Sequence, residues 1–209
     1  MIEFELKFKI IKLPIGFKNL NCKKTFSETD NYYDTHNNCL IKNGNFLRLR
    51  NDYKIDFKLD IGDDFHLYCK ETSFTKDSIN SKNNEFIKIF KYLKIEINTN
   101  FNSFNEFIKK NNFNLIAPIC KTRSVYAICE NMNVTVDSVN CLGDFVEIEM
   151  MFDDNINLDN KIKIKNDIIS ILKNNDLYFD DFLEQQVGYV ELYLKENNPA
   201  IYELGKFKV

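Results

Sequence analysis

The chain opens with a strand pattern whose two faces differ in chemistry. In the first nine residues, Glu3, Glu5 and Lys7 alternate with apolar residues. Because side chains alternate between the two faces of a strand, this segment predicts one charged face and one apolar face. A second segment repeats the pattern with Glu147 and Glu149. A single strand with one charged face is ordinary on a protein surface. Two strands that each carry a pair of carboxylates on one face are less common, and the fold must place both charged faces in water or beside neutralising groups.

Composition sets broad limits on the class of protein. The 209 residues indicate one sizeable domain or two small ones, and a hydrophobic content of 44% with 14% aromatic residues is enough for a substantial core. The net charge of −3 gives no reason to expect nucleic-acid binding. No apolar run approaches the ~20 residues that span a membrane, and none resembles a secretion signal.

The six cysteines are scattered and form no C-x-x-C pair. This spacing argues against a zinc site and is typical of free thiols in a reducing compartment. We therefore expect a cytoplasmic protein. The sequence does not indicate an oligomeric state.

Arginine is rare in this chain. Only three of the 28 basic residues are arginines, namely Arg48, Arg50 and Arg123. In a lysine-rich chain, the positions that keep arginine are those where a planar fork of donors is needed, and such a fork suits carboxylate or phosphate. Arg48 and Arg50 also share one face of a predicted strand.

Alternating and helical patterns together predict an α+β fold. Segment 11–31 reads as a connection with one helical turn, and helices are expected over 85–94, after Ser103 and beyond residue 158. A last helix is expected from Asp180 or Asp181 to about residue 197. Eight antiparallel strands are predicted, at 1–9, 31–35, 46–50, 54–61, 65–74, 116–130, 133–140 and 144–152.

Two arrangements of these strands remain open. In one, the apolar faces fill a barrel and the charged faces are solvated outside, which the pattern alone favours. In the other, the apolar faces lie outside under helices, and the charges line a polar tunnel. Chemistry favours the second arrangement, because converging carboxylates need a divalent cation, and hard oxygen ligands suit Mg²⁺ or Mn²⁺. The matching cations would then bind a polyphosphate.

The motifs in order resemble those of the CYTH, or triphosphate tunnel metalloenzyme, superfamily. The opening Glu3-Phe4-Glu5-Leu6-Lys7 is similar to its E-x-E-x-K signature. Further matches occur at Tyr32-Tyr33-Asp34-Thr35, Leu47-Arg48-Leu49-Arg50, Lys121-Thr122-Arg123, Leu142 to Glu149, and Val187 to Leu192. The last of these has Gly188 where the family usually has serine. The resemblance covers nearly the whole chain and implies a single domain over residues 1–209.

This resemblance implies a closed, eight-stranded antiparallel β-barrel that forms a tunnel, with helices packed outside. It implies metal binding by Glu3, Glu5, Asp137, Glu147 and Glu149, and catalytic roles for Glu3, Glu5 and Lys7. It also implies triphosphate binding by Lys7, Arg48, Arg50, Lys58, Lys70, Lys121 and Arg123. Whether Lys58 or Lys70 is the fourth-strand lysine stays open, although the spacing from Arg50 favours Lys58.

Three functions are compatible with the sequence. The leading hypothesis is a metal-dependent triphosphatase acting on inorganic triphosphate, thiamine triphosphate or a nucleoside triphosphate. The alternative is a class IV adenylyl cyclase, which makes cyclic AMP and pyrophosphate from ATP. A third is a polyphosphate-binding module without catalysis, although anion binding alone has no use for four acids.

Overall fold

Nine antiparallel strands and six α-helices form the part of the chain that the computed structural model describes, residues 2–60, 62, 68–129, 132–152, 161–179 and 184–208. The strands are β1 Ile2–Ile10, β2 Cys22–Thr35, β3 Phe46–Arg50, β4 Lys54–Asp60, β5 Tyr68–Thr75, β6 Phe113–Cys129, β7 Met132–Val139, β8 Gly143–Phe152 and β9 Glu184–Gln185. The helices are α1 Cys39–Lys42, α2 Asn84–Tyr92, α3 Phe104–Lys110, α4 Lys161–Asn174, α5 Tyr189–Asn197 and α6 Pro199–Tyr202. Two short 3₁₀ helices span Ile15–Asn19 and Lys76–Ser78.

The chain divides into two units, and strands β2 and β6 run through both. The first unit comprises residues 1–27 and 121–186, and the second comprises residues 28–120 and 187–209. In the first unit the strand order is β2-β6-β7-β8-β1-β9, and in the second it is β5-β4-β3-β2-β6. No helix in the described ranges is long and apolar enough to cross a membrane.

Phenylalanine dominates the core of the second unit. The apolar face of β3 and β4, which includes Leu49 and Phe57, packs against helices α2 and α3. Phe107 of α3 lies with its ring centroid 5.0 Å from that of Phe86 in α2 and 5.2 Å from that of Phe113 in β6. In this unit the apolar strand faces are therefore covered by helices. The opposite face, with Arg48, is also buried.

In the first unit, the paired-carboxylate strands lie side by side. Strands β1 and β8 are antiparallel, and their register places Lys7 opposite Glu147 and Glu5 opposite Glu149. The intervening apolar residues, including Phe4 and Leu6, are fully buried. Because Lys7 and Glu147 are buried as well, the arrangement in which the charged faces are solvated is wrong for these strands.

Most predicted elements are confirmed, but the ends of two are not. β2 begins at Cys22, although its polar first half was expected to be a connection. The helix expected from residue 180 or 181 is α5, which begins only at Tyr189, because Glu184 and Gln185 pair with β1 and Gly188 is the N-cap. Residues 180–183, with the expected caps Asp180 and Asp181, lie outside the described ranges.

The sheet has nine strands rather than the expected eight, since β9 adds a two-residue edge. The α+β class and the antiparallel arrangement are confirmed. Closure of the strands into a barrel stays a prediction, and so does the single-domain organisation.

Candidate functional site

The first unit carries a set of charged side chains on one face of its sheet, which we call the carboxylate cluster. Strands β1, β6, β7 and β8 contribute to it, and their register keeps the side chains on the same face, with Arg123 opposite Asp137 and Lys7 opposite Glu147. Its described members are Glu5, Lys7, Lys121, Arg123, Asp137, Glu147 and Glu149.

Arg123 stands at the centre of the carboxylate cluster. Its Nε donates to Asp137 Oδ1 at 2.8 Å, and its Nη2 donates to Asp137 Oδ2 at 2.6 Å and to Glu147 Oε2. Its Nη1 donates to Glu149 Oε1 at 3.1 Å. One guanidinium group therefore contacts three carboxylates from two strands. The planar fork of arginine makes this possible, since a lysine amine is a single point of charge.

Two lysines complete the cluster. Lys7 Nζ lies 2.6 Å from Glu5 Oε1 and 3.1 Å from Glu147 Oε1. Lys121 Nζ lies 3.5 Å from Asp137 Oδ2. Burial alone would lower the pKa of Lys7, but Glu5 and Glu147 raise it above its usual value. Lys7 is therefore a permanent cation at neutral pH and is unsuited to act as a general base.

The carboxylate of Glu147 is held in its ionised form. Burial would raise its pKa, but the neighbouring Lys7, Arg123 and Lys121 lower it well below the usual value. A buried carboxylate that stays charged is a hard oxygen ligand available to a cation throughout the physiological pH range.

The donor set of the carboxylate cluster fits a hard divalent cation. Asp137, Glu147 and Glu149 all reach one cationic group, Arg123, and carboxylate oxygens are the ligands that Mg²⁺ and Mn²⁺ prefer. Within the described ranges, however, no three acidic, histidine or cysteine side chains already form a metal-binding group. The carboxylates that a metal ion would need are therefore present, but they are arranged as ion-pair partners of Arg123.

The second unit contains a second buried set of charges, which we call the arginine cluster. It is built on strands β2, β3, β4 and β5, and its members are Glu28, Asp30, Arg48, Arg50, Lys54, Asp56, Lys58 and Glu71. Four carboxylates and four cations are thus interleaved on neighbouring strands.

Arg48 and Asp56 form the most buried pair of the arginine cluster. The Nε and Nη2 atoms of Arg48 both donate to Asp56 Oδ2, at 3.2 and 2.8 Å. Asp56 also accepts from Ser73 at 2.7 Å and lies 2.9 Å from Lys54 Nζ. Burial would raise the pKa of Asp56, but these partners lower it to about 2.

The fork of Arg50 is occupied by a carboxylate of the neighbouring strand. Its Nε donates to Asp30 Oδ1 at 2.7 Å and its Nη2 donates to Asp30 Oδ2 at 3.1 Å. Its Nη1 lies 3.4 Å from Glu28, and the Nη1 of Arg48 lies 3.7 Å from Asp30. Asp30 therefore holds Arg50 through two hydrogen bonds and lies within ion-pair distance of Arg48.

The structure brings most of the residues singled out in the sequence into one of the two clusters. Lys58 lies in the arginine cluster, 3.8 Å from Glu71. Lys70 pairs in register with Leu59 and is exposed, so it lies outside that cluster. The backbone of Glu3 belongs to β1, but its side chain lies outside the described part of the structure.

Sequence reasoning missed Glu28 and Asp30. Both are buried on β2, in a stretch that was expected to be a connection. The sequence does contain a signal for them. Glu28, Asp30, Tyr32 and Asp34 alternate along the chain, so in a strand Glu28 and Asp30 lie on the same face as Tyr32.

Comparisons with known proteins place these features in a wider context. PH1819 from Pyrococcus horikoshii OT3 shares the fold with a TM-score of 0.63 and 19% identity, over 93% of this chain and 99% of that one. A candidate adenylyl cyclase from Hippeastrum, HpAC1, is described as having a dominant triphosphatase activity. It shares the fold with a TM-score of 0.59 and 15% identity, over 99% and 97% of the two chains.

A candidate adenylate cyclase from Vibrio parahaemolyticus has a TM-score of 0.57 and 18% identity, over 92% of this chain and 97% of that one. No match was found among curated proteins. The family model of the CYTH domain matches residues 1–177, which is most of the chain and includes the carboxylate strands β1 and β8. The chain belongs to the CYTH domain family.

Proposed function

We propose that this protein is a divalent-metal-dependent triphosphatase that binds a triphosphate in a charged β-tunnel and hydrolyses it. The observation that carries the proposal is the convergence of Asp137, Glu147 and Glu149 on one buried cationic group. Anion binding alone has no use for such acids, whereas phosphoryl transfer uses carboxylates to hold Mg²⁺ or Mn²⁺. A tunnel requires the strands to close into a barrel, so closure is part of the proposal. A closed barrel also leaves no strand edge exposed.

Each group of residues has a role in this proposal. Glu3, Glu5, Asp137, Glu147 and Glu149 hold the metal ion, which when bound neutralises phosphate charge. In the first unit Lys7, Lys121 and Arg123 bind phosphate oxygens, and their fixed positive charges stabilise the charge that spreads over the oxygens in the transition state. In the second unit Arg48, Arg50 and Lys58 are suited to phosphate in the same way. We assign Lys58 rather than Lys70 to phosphate binding, because Lys70 is exposed and lies outside the arginine cluster.

The reaction is an in-line displacement at the terminal phosphorus. A water oxygen forms a bond to that phosphorus, and the bond to the bridging oxygen breaks. Glu5, whose side chain is 21% exposed, lies where solvent reaches the site and orients the attacking water, and the water proton passes to solvent. Lys7 stays protonated and stabilises the negative charge of the phosphate oxygens. The products are orthophosphate and diphosphate, or the corresponding diphosphate ester.

A second candidate is a class IV adenylyl cyclase. Two of the structural neighbours are described as candidate adenylyl cyclases, which favours this reaction on the same scaffold. Cyclisation requires the 3′-hydroxyl to be aligned with the α-phosphorus, so the base and ribose must be bound as well. The charged groups of both clusters suit phosphate, and none is a recognisable reader of a purine. We therefore favour hydrolysis.

Product analysis separates the two reactions. The protein is incubated with inorganic triphosphate, thiamine triphosphate and ATP in Mg²⁺, Mn²⁺ or EDTA, and the products are resolved by chromatography. We expect orthophosphate, and no release in EDTA. Cyclic AMP with stoichiometric pyrophosphate from ATP, together with no orthophosphate from triphosphate, would establish the cyclase instead.

A paired substitution tests the carboxylates. We expect Glu147→Gln to reduce turnover by at least 100-fold without unfolding the protein, because it removes one buried ionised ligand. Glu196→Gln, the same change at an exposed position of α5, is the matched control and should leave turnover unchanged. Full activity of Glu147→Gln, or of the native protein in EDTA, would contradict metal-dependent catalysis.

A further inference from the structure

The position of Arg123 has a consequence for metal binding. All three nitrogen atoms of its guanidinium group donate to carboxylates, and those carboxylates are Asp137, Glu147 and Glu149. These three side chains are among the five metal ligands of the proposed function, on which this inference rests. Lys7 lies 3.1 Å from Glu147 and Lys121 lies 3.5 Å from Asp137, but a lysine amine has no planar fork with which to hold three carboxylates.

A guanidinium group and a divalent cation cannot use these oxygens together. Mg²⁺ binds carboxylate oxygens at about 2.1 Å and demands a near-octahedral arrangement around it. The nitrogen atoms of Arg123 already lie 2.6–3.1 Å from Asp137 and Glu149, in the space that such a cation needs. The two positive charges would also repel each other at this separation, in a buried site where solvent screens little.

We propose that Arg123 is a resident cation of the carboxylate cluster, which the metal ion must displace before it can bind. In the metal-free protein, Arg123 neutralises buried carboxylates that would otherwise repel each other. The same contacts keep Asp137, Glu147 and Glu149 spaced as ion-pair partners rather than as ligands around one metal ion. This agrees with the absence of a preformed three-ligand group within the described ranges.

The displaced guanidinium group requires a new partner, and phosphate supplies it. Arginine binds a phosphate group with the same planar fork that it presents to a carboxylate. A triphosphate therefore draws Arg123 away from the carboxylates and makes them available to the metal ion. Since coupling between two ligands is reciprocal, the metal ion in turn releases Arg123 for the phosphate. Arg123 thereby makes metal binding and triphosphate binding cooperative.

Metal binding to the substrate-free protein tests this inference directly. The free Mn²⁺ signal is followed by electron paramagnetic resonance as the full-length protein is titrated, with no triphosphate present. We expect Arg123→Gln to bind Mn²⁺ at least tenfold more tightly than the native protein, although it removes a residue of the site. Arg123→Lys, which keeps the charge but not the fork, should give an intermediate affinity.

Two controls separate displacement of Arg123 from a general change in charge. Lys121→Gln removes the same charge from the same cluster but no planar fork, since a single amine lies 3.5 Å from Asp137, and it should strengthen Mn²⁺ binding by less than threefold. Arg48→Gln removes an arginine whose ion pairs are with Asp30, Asp56 and Glu71, and should leave Mn²⁺ binding unchanged.

Thermal unfolding provides a second measurement in case Arg123→Gln folds poorly. Its melting temperature should fall below that of the native protein in EDTA, because three carboxylates lose their hydrogen bonds to the guanidinium group. Mn²⁺ should then raise the melting temperature more in the variant than in the native protein.

The outcomes distinguish this inference from the proposed function. If the native protein binds Mn²⁺ as tightly as Arg123→Gln, or if Lys121→Gln gains as much as Arg123→Gln, displacement of Arg123 is refuted while the metal site stands. If Arg123→Gln does not bind Mn²⁺ at millimolar concentration without triphosphate, the inference is refuted, whereas metal-dependent catalysis is refuted only by full activity of the native protein in EDTA.

Discussion

The pair formed by Arg48 and Asp56 allows the energy of the arginine cluster to be measured. The substitution Asp56→Asn changes the shape of the side chain very little but removes its charge. Asp56 is 0% exposed, and two nitrogen atoms of Arg48 donate to one of its oxygens. The variant therefore leaves the guanidinium group of Arg48 buried without its main partner.

The expected loss of stability follows from the pKa of Asp56. It falls from 3.8 to about 2, since Arg48, Lys54 and Ser73 outweigh the effect of burial. At about 1.4 kcal/mol per pKa unit, the ionised form contributes roughly 2 kcal/mol to the free energy of unfolding at neutral pH. Removing one partner of a buried ion pair typically costs about 3–5 kcal/mol. We therefore expect Asp56→Asn to lower the free energy of unfolding by about 3 kcal/mol at pH 7.

The same pKa determines how this loss depends on pH. Because the folded-state pKa of Asp56 is depressed, its contribution is fully present above pH 4 and is lost as the pH falls toward 2. Near pH 3, about half of the roughly 2 kcal/mol has disappeared. The difference between the native protein and the variant should therefore shrink between pH 5 and pH 3.

Urea unfolding followed by circular dichroism at pH 7, 5 and 3 measures these differences. Asp77→Asn, the same change at an exposed acid of the second unit, is the matched control and should shift stability by less than about 0.5 kcal/mol. A loss below about 1 kcal/mol for Asp56→Asn at pH 7 would refute the assigned ion pair. An equal loss at pH 7 and pH 3 would refute the depressed pKa.

Two further substitutions test the arginine cluster and the phenylalanine core. Arg50→Lys keeps the charge but loses the two-point contact with Asp30, so we expect turnover to fall at least fivefold; native kinetics would show that the fork is not needed. Phe107→Ala should lower the free energy of unfolding by about 3–5 kcal/mol in urea, because the ring is fully buried among other phenylalanines. Leu115→Ala, at a half-exposed position, should cost much less, and equal losses for the two would contradict the assigned core.

Local patterns were enough to predict the elements whose identity depends on neighbours in the chain. The alternation of Arg48 and Arg50 with leucines predicted β3, and the structure has that strand at Phe46–Arg50. Ser103 was expected to cap a helix, and its side chain accepts a hydrogen bond from the backbone of Glu106. The sequence also determined which charged residues share a face, since side-chain direction in a strand has a period of two.

Elements that depend on distant partners were not predictable in the same way. The first half of β2 is polar and mostly exposed, so nothing in its own residues requires a strand. It is a strand because it lies beside β6, as in the contact between Thr25 and Ser124 at 2.8 Å. Glu184 and Gln185 likewise read as part of a helix, but they pair with β1. Pairing energy from residues far away in the sequence outweighed local propensity in both places.

The tertiary structure also decided how the charges are used. The sequence indicated that Arg123 and Asp137 carry opposite charges on predicted strands, but only the register of β6, β7 and β8 brings Glu147 and Glu149 to the same guanidinium group. Whether a charged face meets water or is buried depends on what covers it, and periodicity carries no information about the covering. The sequence by itself determined the side on which each charge lies, while the packing of distant segments made those charges buried partners.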